Sequence, residues 1–476
     1  MISRCIKLVI FLLLGTTSYS QEKWDLRRTV EYAMEHNISV RQADLRIRFA
    51  ELELQQSKQS QQPNANLSTN LGYSSGRNQD PTSFSLITTG YVFNNYSLQA
   101  SVDLFNWFTK KNTIEAKDLN LRSVQAGAEK AKNDIALNVA VAYLQILLAR
   151  EQVTLAQSKL SQTRSQLEST RKQVDAGKLP ELNAVNLESV LAADSSTLIT
   201  AEGSARQSLL QMKALLNMDA ASPFDIVTPP VDMIPIENLA DLQPDAVYNL
   251  AITNMPQQKA DAFSVQSAKK MVEVARGSMY PTFSLFGSLG SAYNSKAREI
   301  KSKTQINAPV GTVIVGGTTY QVFPLNPFDS YTYGKQNYFD QLNQNFRQSI
   351  GIGLSVPIFN GGTLRNAWQR SKLNVKQAEL TAEQNSFTLK QDIYTAYNDA
   401  VSAMQKFNAN KKAVSYAQQA YDFAVRRYDL GLLSTYDLVT TQTTLQQAKS
   451  QLLYSQYDYV FKMKLLEFYK GQGLKL

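Results

Sequence analysis

Apolar residues alternate through Ile350, Ile352, Leu354, Val356 and Ile358, with Gly351, Gly353 and Ser355 between them, the pattern of a strand with two unlike faces. From Leu364 the period becomes helical and stays so for about 65 residues. An earlier stretch makes the same change: Leu98, Ala100, Val102 and Leu104 alternate, and Phe105-Asn106 opens a second long helix. Within these helices the apolar positions recur every seven residues. Val139, Ile146, Val153, Leu160, Leu167 and Val174 form one column, and Ile393, Ala400, Phe407, Val414, Tyr421 and Tyr428 form its counterpart. This is a coiled-coil repeat. A column three residues on is small, with Ala142, Ala149 and Ala156 in one helix and Ala396, Ala403, Ala417 and Ala424 in the other, so each helix can approach two neighbours closely. Return helices repeat the spacing at Leu191, Leu198, Ala205 and Met212, and at Leu438, Leu445, Leu452, Tyr459 and Leu466. At 1.5 Å per residue each outgoing helix, 107–175 or 361–429, would extend on the order of 100 Å.

The two halves are copies. Phe105-Asn106 matches Phe359-Asn360 at an offset of 254, and the same offset carries Ala142-Tyr143 onto Ala396-Tyr397 and Gly177 onto Gly431. Ahead of the strands the offset is 218, matching Pro63 with Pro281 and Leu67 with Leu285, so the second copy holds 36 extra residues between its two strands. Each copy is expected to start with one helix, roughly 24–60 and 243–279, ended by the residue before a proline. Strands are expected near 64–75 and 88–105, then 281–294 and 346–359, followed by helical hairpins at 107–216 and 361–470. The first repeat spans 21–216, the second 244–470, with a proline-rich connector at 217–243 and a tail at 471–476. The excess around 296–345 is rich in Asn, Gln, Thr and Tyr, and Thr312–Val315 with Thr318–Val322 reads as a small hairpin.

Composition narrows the setting. Residues 1–20 have the layout of a secretory signal peptide: basic Arg4 and Lys7, an apolar run from Leu8 to Leu14, and small residues at Ser18-Tyr19-Ser20. The only cysteine, Cys5, lies within it, so no disulfide or acyl anchor is expected in the mature chain. A single histidine, His36, argues against a metal site, and no nucleotide loop or catalytic constellation is present, so no cofactor and no enzymatic activity are expected. The net charge of +9 is scattered over polar helix faces without a basic stripe, which argues against nucleic-acid binding. No apolar run of 18 residues follows the signal peptide, so a membrane crossing would have to be a closed barrel. Four strands are too few to close one in lipid, and several chains must contribute; three give twelve strands, while strand count alone also permits two or four copies.

This order of elements, twice over, with Val356-Pro357-Ile358-Phe359-Asn360-Gly361-Gly362 at the second strand-to-helix junction, resembles the TolC family of outer-membrane efflux channels. The resemblance implies a mixed α and β membrane protein: a homotrimer whose twelve-stranded β-barrel, four strands per chain, continues into a long α-helical coiled-coil barrel. It implies a place in the outer membrane of a Gram-negative bacterium, in contact with outer-membrane lipid, with the helical part in the periplasm. Its partners would be a periplasmic adaptor (membrane fusion) protein and an inner-membrane transporter. The hairpin tips, with Ala176, Gly177 and Leu179 in the first and Leu430, Gly431 and Leu432 in the second, resemble the glycine-centred contacts that receive the adaptor. Asp437 falls at the first place of the family's entrance constriction and Thr440 at the second; three Asp437 carboxylates around a narrow axis would favour cations. The residue-level alternative is a carboxylate that suits a helix N-terminus. Tyr428 matches the tip tyrosine that links neighbouring coils, Asn183 holds its partner's place, and Leu433 stands where an ionic latch would have arginine. Pro357, Phe359, Gly361 and Gly362 form the second strand-to-helix joint; the first, around Phe105, lacks the proline and glycines and is expected to bend differently. Two other functions fit the same pattern: a duct for secreted polypeptides, and a periplasmic coiled-coil scaffold without a pore.

Overall fold

The computed structural model describes residues 23–79, 84–228 and 234–471. The signal peptide with Cys5, Pro229 and Pro230 of the connector, and the tail beyond 471 lie outside the described residues. The chain divides into two compact units: Met1–Leu54, Ala116–Lys269 and Leu373–Leu476 form one, and Gln55–Glu115 with Lys270–Lys372 form the other. In order, the elements are α1 (Leu26–His36), α2 (Ile38–Gln59), β1 (Asn64–Gln79), β2 (Leu86–Phe105), α3 (Thr109–Asp175), α4 (Glu181–Leu215), α5 (Pro244–Asn254), α6 (Pro256–Gly277), β3 (Thr282–Asn294), β4 (Arg298–Ile306), β5 (Gly311–Val315), β6 (Thr318–Val322), β7 (Phe328–Lys335), α7 (Tyr338–Gln344), β8 (Arg347–Ser355), α8 (Thr363–Asp429) and α9 (Thr435–Tyr469).

The first helix of each copy is two helices, contrary to the expectation of one. Met255 is extended because Pro256 follows it, and it ends α5; Asn37 is extended between α1 and α2, where its side chain accepts from the Ser39 amide and donates to the Leu215 carbonyl. In the helical unit, the core of the first copy joins Ala33 and Val40 to Val139, Tyr143, Ile146, Met212 and Ile226. The second copy repeats it with Leu242, Val247, Ala251, Ile393, Ala396, Ala400, Met463 and Leu466. An apolar stretch of α3 long enough for a membrane span lies in this region, and half of it is buried. The connector is tied down by backbone bonds between Trp24 and residues 225 and 227, and by the Tyr143 hydroxyl on the Val227 carbonyl at 2.5 Å. Both heptad columns are buried where Val139, Ile146, Ile393 and Ala400 enter the cores, but toward the tip of α3 only the small one is. Ala142, Ala149 and Ala156 continue as Thr163 and Thr170, while Val153, Leu160, Leu167 and Val174 are only half covered in the single chain.

The other unit holds a four-stranded antiparallel sheet in the order β1-β2-β3-β8. Its register aligns Leu67, Leu98 and Leu289, and aligns Val102, Leu285 and Ile352. Because neighbouring residues of a strand point to opposite faces, this register collects Leu67, Leu71, Tyr73, Leu98, Leu289, Ile350, Ile352 and Leu354 on one exposed face. Asn66, Ser68, Asn70, Ser97, Gln99, Ser101, Ser288 and Ser349 share the other. Phe93 and Phe286 also belong to this polar face but lie against Gly72 and Gly351, where an added Cβ would come within 2.5 and 2.7 Å of the rings. β8 stops at Ser355, short of the expected 359: the next residue on β3's side is Pro281, which has no amide hydrogen, and Pro357 follows on the other. The insertion is more ordered than a polar loop. The expected β5–β6 hairpin sits beyond a longer β4–β7 ladder, and α7 packs on β3 through Gln341, whose side chain accepts from the Asn294 amide at 2.9 Å.

Candidate functional site

At the second joint, Gly361 and Gly362 are both left-handed, with φ of 64° and 77°. The equivalent residues of the first joint, Trp107 and Phe108, are left-handed too, at 49° and 60°. The expectation that the joints bend differently is therefore wrong. Each has the same hydrogen bonds: Thr109 N–H to Asn106 C=O and Asn112 N–H to Phe108 C=O in one, Thr363 N–H to Asn360 C=O and Asn366 N–H to Gly362 C=O in the other. Glycine adopts this backbone freely, whereas Trp107 and Phe108 are held in it by ring contacts, Trp107 with Tyr280 at 4.9 Å and Phe105 with both Trp107 and Phe108. Lys110 braces the first joint further through Asp103 at 2.9 Å and the Ser60 carbonyl. Pro357 and Phe359 lie in the irregular segment after β8, with Phe359 90% exposed.

The two hairpin tips also share one geometry. Gly177 and Gly431 are left-handed, at 70° and 73°; Lys178 N–H reaches back to Gln173 C=O and Leu432 N–H to Arg427 C=O, both at 2.8 Å, the Schellman closure of a helix end. Ala176, Gly177, Leu430, Gly431 and Leu432 are exposed. Leu179 instead turns into a cluster with Tyr421, Ala424, Tyr428, Leu438 and Leu445, which does not fit a presented contact. Asp437 accepts from the Ser434 hydroxyl at 2.7 Å while Ser434 Oγ accepts from the Asp437 amide, a reciprocal cap on α9. Its side chain and that of Thr440, one turn on, are exposed. Tyr428 is buried, and its hydroxyl meets Thr170 Oγ1 at 2.9 Å and Thr435 Oγ1 at 3.3 Å. Within the chain it is thus Thr170, not Asn183, that partners Tyr428.

Further along α3 the first hairpin holds buried polar groups that the heptad reading missed, and one of them is bonded to the second hairpin. Lys159 pairs with Asp194 at 2.8 Å, Thr163 donates to Asp194 at 2.7 Å, and Gln442 donates to Thr163. The signal was present in the column Leu187, Asp194, Ala201, where a carboxylate interrupts apolar spacing. Among the described residues no group of three His, Cys, Asp or Glu side chains could hold a metal ion.

A chain of two copies, each a strand pair followed by a long helical hairpin, with one sheet face apolar and exposed, defines a class of mixed α and β proteins. The model of the outer membrane efflux protein family matches residues 29–218 and 247–469, and the chain belongs to that family. It is an outer-membrane protein. It is 21% identical to the outer membrane efflux protein BepC of Brucella suis over 373 residues, covering 78% of this chain and 70% of that one. A shorter match, 24% identical over 143 residues, covers 30% of the chain and 29% of the outer membrane protein TolC of Salmonella enteritidis. Among solved structures, CusC, described as forming a transmembrane channel, superposes with a TM-score of 0.76 at 16% identity over 96% of both chains. VceC of Vibrio cholerae gives 0.72 at 17% identity over 94% and 97%.

Proposed function

We propose that three copies of this chain close a twelve-stranded barrel in the outer membrane and continue it as a helical duct. Through this duct small molecules pass from an inner-membrane pump and its periplasmic adaptor to the exterior. The sheet carries this proposal: it is apolar on one face, polar on the other, and its outer strands β1 and β8 each have one neighbour in the chain. In lipid those edges need partners, and a second and third copy supply them without any new element.

Aromatic rings bound the apolar face at both ends. Trp107, Phe105, Tyr280 and Phe283 stand at the joint end, and Tyr96, Tyr293 and Tyr338 at the other. From Phe283 to Tyr293 is ten residue steps along β3, about 34 Å of strand, or roughly 25 Å across a membrane at a 40° tilt, the height of an outer-membrane apolar band. The exposed tip residues Leu430, Leu432 and Ala176 are the proposed adaptor contact, and Asp437 with Thr440 the proposed entrance constriction. The duct would be passive, its driving energy supplied by the pump. Reconstitution into planar bilayers tests this: discrete ion conductance from a detergent-purified assembly supports it. A water-soluble, non-conducting protein would point to the scaffold instead.

A further inference from the structure

The insertion between β3 and β8 carries five cations against three carboxylates, and the charges are unevenly matched. Lys301 pairs with Glu299, and Lys303 with Asp329 at 2.8 Å. Among the described residues, no carboxylate lies within ion-pair distance of Lys296, Arg298 or Lys335. Arg298 and Lys335 sit directly opposite each other in the β4–β7 ladder, a like-charge cross-strand pair that costs stability unless an anion lies between them. The next pair on the same face, Ile300 and Tyr333, is exposed and apolar. A basic edge thus borders an apolar surface.

The place of this cluster in the fold narrows its partner. Lys335 is three residues before Tyr338, whose hydroxyl meets Tyr96 Oη at 3.0 Å and Asn94 Nδ2 at 3.1 Å. The register sets Asn94, Tyr96 and Tyr293 on the apolar face of the sheet, so α7 is anchored over that face at the end remote from the helical joints. Phe339, next on α7, is 74% exposed. The exposed carboxylate in this neighbourhood is Asp340, on α7 itself.

We infer that Lys296, Arg298 and Lys335, with the apolar surface of Ile300, Tyr333 and Phe339, form a docking site for a phosphorylated glycolipid of the outer leaflet, the ammonium and guanidinium groups taking its phosphates and the apolar side chains its acyl chains. A phosphate fits because it accepts from several donors at once, and the planar Arg298 fork matches two of its oxygens. The site rests on the barrel lying in the outer membrane, with the insertion on the outer side.

The test uses the detergent-purified full-length protein and a fluorescent bisphosphorylated lipid A as probe. Lipid A is expected to bind, and the same lipid stripped of its phosphates to bind at least tenfold more weakly. Phosphatidylglycerol should also bind at least tenfold more weakly, and millimolar inorganic phosphate should not displace the probe. K296Q/R298Q/K335Q should weaken binding at least tenfold, and K301Q/K303Q should stay within twofold of the parent. Equal binding of intact and dephosphorylated lipid overturns the site using the unaltered protein alone; equal binding by the triple variant, full displacement by inorganic phosphate, or equal affinity for phosphatidylglycerol would each do so too. Conductance measured on the same preparation separates the two proposals, since a conducting channel that fails these tests loses the lipid site and keeps the duct.

Discussion

Replacing both joint glycines with alanine isolates the cost of the bend. Nothing lies within 4 Å of a Cβ added at Gly361, and at Gly362 the nearest atom is Asn366 Nδ2 at 3.8 Å, so the substitution removes no contact and creates no clash. What remains is the backbone. A left-handed conformation costs an L residue about 1–2 kcal/mol, so G361A/G362A should lose about 2–4 kcal/mol per chain. At 1.4 kcal/mol per tenfold this is roughly a 30- to 700-fold change in the unfolding equilibrium. The matched change at the first joint behaves differently. F108G relieves the same 1–2 kcal/mol at a residue already at φ 60°, but gives up the ring contact with Phe105, worth about 0.5–1.5 kcal/mol, and adds chain freedom, so it should fall within about 1 kcal/mol of neutral. Guanidinium unfolding in detergent, followed by tryptophan fluorescence, reads both variants against the parent. An unchanged midpoint for G361A/G362A, with an unchanged denaturant slope, would refute a left-handed joint.

Three further outcomes follow from the hairpins and the connector. D437N and D437A should both lower block by divalent cations; the Ser434 cap on the residue-437 amide survives both, and loss of the first-turn charge should cost α9 about 0.3–1 kcal/mol; unchanged block in single-channel recordings would remove Asp437 from the pore. Y428F strips the buried hydroxyl from Thr170 and Thr435, costing about 1–3 kcal/mol, and should raise the resting conductance; a closed channel indistinguishable from the parent would count against Tyr428 as a brace. At Asp225, burial pushes the carboxyl up, but the Arg150 hydrogen bond and charge, the Ile226 amide and Lys23 together hold it below its usual 3.8. A depressed folded value means the stabilisation is present above the unfolded value and is lost as pH falls through the folded one, so proteolytic protection of the connector should decline below about pH 4. D225N should show reduced protection at neutral pH and little further change in that acid window.

Much of this architecture follows from periodicity. Leu67, Leu71 and Tyr73 alternate with polar residues because one sheet face is apolar, and Ile393 and Ala400 recur by sevens because one helix face is buried. The missed features depend on contacts between distant segments. Trp107 and Phe108 carry side chains that argue against a left-handed backbone, and only the rings of Phe105 and Tyr280, with the repeated hydrogen bonds, reveal why they adopt it. Asn37 is an ordinary polar residue until it meets the Leu215 carbonyl, 178 positions away. The β4–β7 ladder lacks clean alternation because of its bulge between Ile300 and Ser302. Among site residues, the tip glycines were legible from their place between heptad runs. The inward turn of Leu179 and the Tyr428–Thr170 contact were not, since spacing along one helix does not say which neighbour lies across from it.

The most direct measurement of closure by three copies is disulfide cross-linking between the sheet edges. With Cys5 replaced, cysteines at Asn70 on β1 and Ser349 on β8 lie on the same polar face, and stepping the second position by two along β8 scans the register. Because each chain then carries one cysteine at each edge, a closed three-copy barrel predicts a non-reducing ladder of one, two and three chains, ending at three, in at least one register. A ladder ending at two or four, or none in any register, would contradict it.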